Sequence, residues 1–331
     1  MACGGWMAAA VSAAARLGVA DLLAEGPRSV EELAATTETS EPVLERVLRL
    51  LASLGVFAHT ADGRYENSPD SERLRTDHPR SVRRFCQLAA GEYGRSFDEL
   101  GYTLETGEPA FRKVFGGSVY DYMERTPEAG AVYDGAMEEI ARPVGAELAS
   151  RRDFSGVRTL VDVGGGRGTL ARELLAAHPH LSATVLDRPD VCARTSSELR
   201  ATEPQLAERI AFVGGDFFSG VPAGADLYLL KNVLHNWNDA SSSRIVTRVR
   251  EAMADRPEAR LLVIEPLRSS GPPSVHEAMD DLMQVVVCEP GTTMRSEAGL
   301  AGLLEHGGLS IAGSERLPTG HSVVEAMLQV A

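Results

Sequence analysis

The spacing of apolar residues at the start of the chain predicts several short helices. Residues 6–23 combine small and apolar residues in a helical pattern that Gly18 interrupts. Ser29 precedes Glu32 by three residues, the spacing of a capping box, and this predicts a second helix start. A longer helix is predicted over residues 41–54, with Ser40 as its cap. Its apolar residues recur on one face, at Leu44, Val47, Leu48, Leu51 and Leu54.

A β-hairpin is predicted after these helices. Residues 56–58 and 64–66 flank an Asp62–Gly63 turn, and Asp-Gly is a strong hairpin signal. Helices followed by a hairpin form the order of a winged helix, which allows two interpretations: DNA recognition, or a packing and dimerisation module. The third predicted helix has no basic face, and this favours the packing module. Its charged residues are Glu41, Glu45, Arg46 and Arg49.

The middle of the chain is predicted to be helical and aromatic. The helical pattern runs from Phe85 to Ala149, with breaks at residues 107–109 and 116–117. Aromatic and methionine side chains on helices are usually core residues, and the wall of an apolar substrate pocket is the alternative. The residues concerned are Phe97, Tyr102, Phe111, Phe115, Tyr120, Tyr122, Tyr133 and Met137.

From Thr159 onward, apolar β-branched runs alternate with helical patterns. This alternation is typical of a doubly wound parallel sheet of the α/β class. The predicted parallel strands are residues 159–163, 183–186, 210–213, 226–230 and 260–264. Residues 309–315 and 322–329 predict a closing antiparallel hairpin around a turn at residues 318–320.

A glycine-rich loop follows the first of these strands. Four glycines lie within five residues, at Gly164, Gly165, Gly166 and Gly168. Glycine adopts positive φ angles readily and lets a ligand approach the backbone, so a strand, glycine turn and helix in this order predict a cofactor loop. The spacing is G-x-G-x-G with Thr169 next, whereas a dinucleotide fingerprint requires G-x-G-x-x-G.

Acidic residues end the next two predicted strands. Asp187 follows the second strand, where a carboxylate can accept hydrogen bonds from both ribose hydroxyls of a nucleoside cofactor. Asp216 and Phe217 follow the third strand, where they can accept from an adenine amino group and cover its ring. Nicotinamide and S-adenosylmethionine folds both use such a carboxylate, and the loop spacing favours S-adenosylmethionine over a nicotinamide dehydrogenase.

The fourth strand leads into Leu234-His235-Asn236-Trp237, and here the chain resembles a known family. The glycine loop, residues 187–189, residues 215–218 and this segment together resemble the small-molecule O-methyltransferases, typified by caffeic acid and hydroxyindole enzymes and by bacterial polyketide tailoring enzymes. The resemblance covers nearly the whole chain. It implies a Rossmann-like doubly wound catalytic domain and a winged-helix-like N-terminal domain that forms a homodimer. The expected domains are residues 1–98 for dimerisation, and residues 99–331 for cofactor binding and catalysis with preceding substrate-pocket helices.

The resemblance also implies a role for individual residues. S-adenosylmethionine is the expected cofactor, with contacts from Gly164, Asp187, Asp216, Phe217, Lys231 and Trp237. His235 is the expected catalytic base and Glu265 one of two acidic residues that flank it. The implied reaction is an in-line methyl transfer to a phenolic hydroxyl, which His235 deprotonates while Glu265 orients the imidazole. The expected substrate is an aromatic or polyketide-derived metabolite.

Two residues depart from the family pattern. Asn236 stands where the family has Asp, and Met294 stands where the second acidic residue is expected, with Glu289 as a candidate replacement. These departures motivate a first alternative, in which a relative with the same cofactor methylates nitrogen or carbon or does not methylate at all. The substrate pocket is expected to include Met137 and Asn236, together with Asp281, Met283 and Gln284 on one predicted helix.

The bulk composition narrows the possible partners. The net charge of −14 argues against nucleic acid as the main partner, and thereby against the second alternative, a winged-helix transcription regulator. No apolar run is long enough to span a bilayer, and no export signal is evident, so neither a membrane partner nor secretion is expected. The four cysteines are far apart in sequence, which suggests neither a disulfide framework nor a metal site and fits a reduced cytoplasm.

Overall fold

The computed structural model describes residues 2–329. The chain divides into two compact units, Met1–Asp98 with Arg125–Ile140, and Glu99–Glu124 with Ala141–Ala331. One division between these units lies between Asp98 and Glu99, and Arg125–Ile140 is grouped with the first unit. The assignment of dimerisation to residues 1–98 and of catalysis to residues 99–331 stays a prediction.

The first unit contains helices followed by a two-stranded hairpin, in the predicted order. Gly18 has a φ of 69° and separates the first two helices, and Ser29 and Glu32 form both hydrogen bonds of the capping box. The helices are α1 (Gly4–Leu17), α2 (Val19–Leu22), α3 (Val30–Thr37), α4 (Glu41–Ser53), α5 (Pro69–Glu72), α6 (Arg83–Ala90) and α7 (Glu92–Phe97), and the strands are β1 (Phe57–His59) and β2 (Tyr65–Asn67).

The core of the first unit forms between α4 and the hairpin. Leu44, Leu48 and Leu51 of α4 are buried as predicted, together with Phe57 and Tyr65 of the hairpin. Leu54 was expected on the same buried face and is 41% exposed, although its backbone N–H still donates to the Leu50 carbonyl at 3.1 Å.

The second unit consists of a seven-stranded sheet with helices. The helices are α8 (Leu100–Thr106), α9 (Ala110–Phe115), α10 (Val119–Arg125), α11 (Pro127–Arg151, which begins in the first unit), α12 (Thr169–Ala177), α13 (Pro189–Thr202), α14 (Pro204–Ala207), α15 (Asp239–Met253), α16 (Val275–Val287) and α17 (Glu297–His306). The strands are β3 (Thr159–Val163), β4 (Ser182–Asp187), β5 (Ile210–Gly214), β6 (Leu227–Lys231), β7 (Arg260–Glu265), β8 (Leu309–Arg316) and β9 (Ser322–Leu328). Every predicted strand of this unit is present, and each end lies within one residue of the predicted position.

The order of the strands places the functional edge of the sheet. The sheet runs β5-β4-β3-β6-β7-β9-β8, with β3 to β7 parallel and the β8–β9 hairpin antiparallel, as predicted. Strand order reverses between β3 and β6. In doubly wound sheets, ligands bind beside the carboxyl ends of the strands at such a reversal.

Both faces of the sheet are covered. Val161 and Val163 of β3 lie in a core that includes residues of α15 and α17, whereas Leu160 lies in a core that includes residues of α11 and α12. Successive side chains of a strand point to opposite faces, so the near-continuous apolar runs of the strands follow from burial on both sides.

The predicted aromatic helices contribute to packing within the second unit. Gly107 and Gly116 end α8 and α9 with φ angles of 73° and 71°, at the predicted breaks. The rings of Phe111, Phe115 and Tyr122 contact one another, with the Phe115 and Tyr122 centroids 4.5 Å apart. Phe111 is fully buried, in agreement with the core interpretation, whereas Phe115 and Tyr122 are half-buried.

Candidate active site

The glycine loop follows β3 at the reversal of strand order. Gly164, Gly166 and Gly168 have φ angles of 70°, 57° and 69°. A Cβ at Gly164 would lie 3.0 Å from Cγ2 of Val233, whereas a Cβ at Gly166 would meet no protein atom within 4 Å. The loop therefore needs glycine for its backbone shape, and open space adjoins Gly166.

Asp187 fixes this loop from the end of β4. Its Oδ2 accepts the backbone N–H of Gly166 at 2.7 Å, and its Oδ1 accepts the backbone N–H of Arg188 at 2.8 Å. Burial raises the pKa of Asp187, and these two hydrogen bonds oppose that shift. The carboxylate is thus held beside the glycine loop, where the sequence predicted it.

A second buried acid and a lysine lie on the two neighbouring strands β3 and β6. Asp162 is 1% exposed, and its Oδ2 has no hydrogen-bond partner among residues 2–329. Burial, with the charge of Asp187, raises the pKa of Asp162 to about 7, and the charge of Lys231 opposes this shift. Burial lowers the pKa of Lys231 to about 8, and Asp162 opposes that shift. The two groups therefore stabilise each other's charged forms across the strand reversal.

Aromatic rings line the same region. The Phe217 ring lies 3.6 Å from the position of a Cβ at Gly164, and its centroid is 6.0 Å from that of Trp237. Phe218 also meets Trp237 edge to face at 4.8 Å. Tyr120 of α10 stacks on Trp237 at 5.6 Å with an interplanar angle of 17°. The sequence counted Tyr120 only among the aromatic helix residues, so this stacking was not foreseen.

Asp216 is exposed after β5, and its hydrogen bonds are local. Oδ1 accepts the backbone N–H of Phe218 at 2.9 Å, and Oδ2 accepts from the Ser219 hydroxyl at 3.3 Å. These bonds shape the turn that presents Phe217.

These residues fit S-adenosylmethionine. The cofactor carries a polar ribose, a flat adenine and a cationic sulfonium, and the region offers a buried carboxylate, aromatic rings and a backbone that Gly166 leaves uncovered. Among residues 2–329, no three His, Cys, Asp or Glu side chains converge as metal ligands.

His235 lies on a short 3₁₀ turn, Leu234–Asn236, directly after β6. The turn begins after Asn232, which has a φ of 53°, a left-handed conformation that asparagine tolerates better than most residues. Oε1 of Glu265, at the end of β7, accepts the backbone N–H of His235 at 3.0 Å. Burial raises the pKa of Glu265 to about 7, and this hydrogen bond opposes the shift. Glu265 therefore holds the main chain of the turn, whereas the sequence analysis expected it to act on the imidazole.

Arg295 holds the same turn from the opposite end. Its buried guanidinium donates to the carbonyl oxygens of Leu234 and Trp237 at 2.8 and 2.9 Å, and to the Asp239 carboxylate at 2.8 Å. The Leu234 carbonyl also accepts the backbone N–H of Trp237 at 3.1 Å, and the Ser242 hydroxyl lies 3.2 and 3.1 Å from the same two carbonyls, so the buried cation adds to an already bonded end of the turn. The sequence pattern assigned no role to Arg295. The one available signal was its position next to Met294, which departs from the family pattern.

The imidazole of His235 is half-buried and surrounded mainly by cations. Burial, followed by the charges of Lys231 and Arg295, lowers its pKa to about 3. Its Nδ1 lies 3.4 Å from Nε2 of Gln284. A second histidine, His321, lies close enough for the two rings to affect each other's charge, and its Nε2 is 3.1 Å from Oδ1 of Asn232. His235 is thus neutral near pH 7, the form in which an imidazole can accept a proton.

The predicted substrate residues have internal partners. The Asn236 amide donates to the Asn232 carbonyl at 3.0 Å and accepts from the Cys288 thiol at 3.3 Å. Asp281 on α16 accepts the backbone N–H of Met294 at 3.1 Å. Met137 lies on the part of α11 that belongs to the first unit, and its role stays a prediction.

Comparison with known proteins identifies the family. An O-methyltransferase domain matches residues 97–310, and an O-methyltransferase dimerisation domain matches residues 1–77. A mitomycin biosynthesis 6-O-methyltransferase of Streptomyces lavendulae is 39% identical over 319 residues, covering 96% of this chain and 89% of that protein. A phenazine-1-carboxylate N-methyltransferase of Pseudomonas aeruginosa is 33% identical over 316 residues, covering 95% of this chain and 92% of that protein.

Solved structures agree. LaPhzM superposes with a TM-score of 0.93 at 33% identity, covering 99% of this chain and 97% of LaPhzM. The O-methyltransferase NcsB1 from neocarzinostatin biosynthesis superposes with a TM-score of 0.79 at 32% identity, covering 97% of this chain and 96% of NcsB1. NcsB1 was solved in complex with S-adenosylmethionine and 2-hydroxy-5-methyl naphthoic acid. The chain therefore belongs to the O-methyltransferase family, and it is an O-methyltransferase whose cofactor is S-adenosylmethionine.

Proposed function

We propose that this enzyme methylates a phenolic hydroxyl of an aromatic or polyketide-derived natural product, with His235 as the general base. The observation that carries the proposal is the position of this histidine. Its half-buried imidazole lies on a turn directly after β6, at the sheet edge that carries the glycine loop, and the turn is held by Glu265 through the main-chain N–H of His235 and by Arg295 through the carbonyl of Leu234. The relatives in mitomycin and neocarzinostatin biosynthesis support the substrate class.

The chain's own residues would supply binding, orientation and proton transfer. S-adenosylmethionine, when bound, supplies a methyl group activated by a positive sulfur. Asp187 would hold the ribose, Asp216 the adenine amino group, and Gly164 would let the backbone approach. Phe217 and Trp237 would exclude water, and Lys231 would complete the cofactor contacts at the end of β6.

His235 would take the proton from the substrate hydroxyl as the oxygen attacks. A phenol attacks poorly while protonated, so a positioned base accelerates the reaction by about 10²- to 10⁴-fold. Asn236 and Asp281 would shape the substrate pocket through the turn and the loop that they hold, and a substrate role of Met137 stays a prediction.

A homodimer is part of the proposal. The dimerisation domain carries apolar side chains at its surface, including Trp6 at 74% exposure, Val43 at 55% and Leu54 at 41%. Exposed apolar groups of this size favour a protein interface. Nucleic acid and membranes are not expected as partners, and the proposed location is the cytoplasm. No helix in residues 2–329 combines the length and the apolar character needed to cross a bilayer.

The test is product analysis. The enzyme is incubated with S-adenosylmethionine and a panel of naphthols, hydroxybenzoates and matched aromatic amines, and products are examined by mass spectrometry and NMR. An O-methyl product, lost by at least about 100-fold in the variant His235→Ala, is the expected result. Exclusive N-methylation would contradict the substrate assignment, and full activity of His235→Ala would contradict the base assignment.

A further inference from the structure

The carboxylates near the His235 turn are all bound to other groups. Glu265 accepts the main-chain N–H of His235 rather than contacting its ring. Glu289, the candidate replacement for the missing acid, accepts the backbone N–H of Asn238 and the Ser241 hydroxyl, both at 2.9 Å. It therefore stabilises the start of α15. Position 294 is a buried methionine. Within residues 2–329, no ion pair or hydrogen bond joins a ring nitrogen of His235 to a carboxylate.

Gln284 of α16 is the side chain that meets the ring instead. Its Nε2 lies 3.4 Å from Nδ1 of His235, and it is the polar side chain of α16 that is fully buried, at 0% exposure. Its Oε1 is buried and has no hydrogen-bond partner in the described part of the chain. A buried amide oxygen without a partner costs about 1–3 kcal/mol, so its presence beside the imidazole calls for a physical reason.

We propose that Gln284 is the positioning residue of the His235 imidazole. It takes the place of the second acidic residue of the family, whose position is occupied here by Met294. This inference rests on the proposed role of His235 as the base. The oxygen and nitrogen of an amide can exchange places without a change in heavy-atom geometry. With its oxygen toward the ring, Gln284 accepts Nδ1–H of His235, and Nε2 of the ring keeps the lone pair that a base needs.

Proton transfer then balances without a carboxylate. The substrate hydroxyl gives its proton to Nε2, the electron pair of the O–H bond stays on the attacking oxygen, and Nδ1–H keeps donating to Gln284. An amide supplies a dipole rather than a full negative charge, so Gln284, together with the Asn232 carbonyl that also accepts from the ring, orients the imidazole while stabilising the imidazolium only weakly.

The other groups around the ring agree with this weak stabilisation. Lys231, Arg295 and His321 are basic groups, Glu265 is bound to the main chain, and the Asn232 carbonyl is a second neutral acceptor facing the ring. The site thus orients a neutral base by uncharged partners. Because Gln284 has no exposed surface, it acts through His235 and not by direct contact with solvent-accessible space.

Four variants of the full-length enzyme test the inference. Gln284→Leu removes the acceptor, Gln284→Glu restores a carboxylate at the same length, and His235→Ala removes the base. Gln87→Leu is the matched control, because Gln87 is a buried glutamine of the first unit that accepts from Arg84. For each variant, kcat and KM are measured across pH for S-adenosylmethionine and for the phenolic substrate identified in the product analysis. The tautomer of His235 is read from its ¹⁵N chemical shifts.

The expected results separate positioning from general structure. Gln284→Leu lowers kcat by about 10- to 100-fold with KM changed by less than about 3-fold, and the His235 ring becomes a mixture of tautomers. Gln284→Glu retains most of the activity, and the pH at which kcat/KM falls on the acidic side rises by about one unit or more, since a carboxylate favours the imidazolium. Gln87→Leu keeps the wild-type kcat and pH profile.

Two outcomes would overturn the inference. If Gln284→Leu keeps kcat within about 2-fold of Gln87→Leu while His235→Ala is inactive, Gln284 does not position the base. The same conclusion follows if Gln284→Glu leaves both the pH profile and the ¹⁵N shifts of His235 unchanged, a test that holds even if the leucine variant fails to fold. Activity in His235→Ala would instead contradict the proposed function, which keeps the two failures distinct.

Discussion

Replacing Asp187 by Asn is expected to weaken cofactor binding far more than it weakens folding. Each carboxylate oxygen of Asp187 accepts one backbone N–H, from Gly166 at 2.7 Å and from Arg188 at 2.8 Å. An amide offers one oxygen, so one of these donors must face an NH₂ group. The unpaired donor costs about 1–3 kcal/mol, but removing a buried charge whose pKa is raised acts in the opposite direction, so the free energy of unfolding should change by less than about 2 kcal/mol.

Removal of the buried charge offsets part of the loss in folding stability, but it does not offset the loss in cofactor binding. The proposed ribose contact loses at least one hydrogen bond to a charged acceptor, worth about 1.5–3 kcal/mol, which corresponds to a dissociation constant about 10- to 150-fold higher. Asp77→Asn makes the same substitution at a surface carboxylate that is 69% exposed and 2.8 Å from Arg75. This control should change binding by less than about 2-fold, because an exposed ion pair contributes little.

The assay is calorimetric titration of both variants with S-adenosylhomocysteine, together with urea unfolding without ligand. A dissociation constant for Asp187→Asn within about 3-fold of that for Asp77→Asn, with both proteins folded, would refute the assignment of Asp187 to the cofactor.

Three further predictions follow from the same region. The variants Gly168→Ala and Gly166→Ala share a positive φ, but only a Cβ at Gly168 would lie 3.0–3.2 Å from side chains of β4 and β5, so urea unfolding should show Gly168→Ala to be less stable by about 1–3 kcal/mol; equal stabilities would contradict this. Because the pKa of His235 is lowered to about 3, kcat/KM of the wild type should not fall near pH 6.5, and a fall there would show that the imidazole has its ordinary pKa. The pKa of Asp162 is raised from 3.8 to about 7, so its contribution to stability is full below pH about 4 and is lost as pH rises through about 7. The stability of Asp162→Asn relative to wild type, measured by urea unfolding without cofactor, should therefore increase over that interval. A difference in stability that stays constant with pH would contradict the shift.

Local chemistry explains what was predictable in the fold. The capping box at Ser29 and the breaks at Gly18 and Gly107 depend on residues within a few positions of one another, and all appear where the sequence placed them. The strands of the second unit were predictable because their β-branched runs end in glycine, aspartate or charged residues. The prediction that Leu54 is buried was wrong, because an apolar period shows which residues share a helix face but not how far along that face the core extends.

The candidate site depended on both levels. The glycine loop and Asp187 were found from the sequence, since loop and strand end carry their own spacing signals, and the structure joins them through the hydrogen bond from Gly166 to Asp187. The partners of His235 were not found in this way. Gln284 lies 49 positions away and Arg295 lies 60 positions from the turn that it binds, and neither residue type signals such a role in isolation.

The sequence by itself determined the α/β class, the strands, the glycine loop and the segment that carries the proposed base, His235. Those features follow from periodicity and from residues that act on their near neighbours. Only the tertiary structure decided the strand order, the separate task of Glu289, the main-chain role of Glu265 and the contact between Gln284 and the imidazole. Each of these depends on which side chains meet after distant strands and helices have packed. The pattern of residues along the chain does not specify which of these distant residues will be in contact.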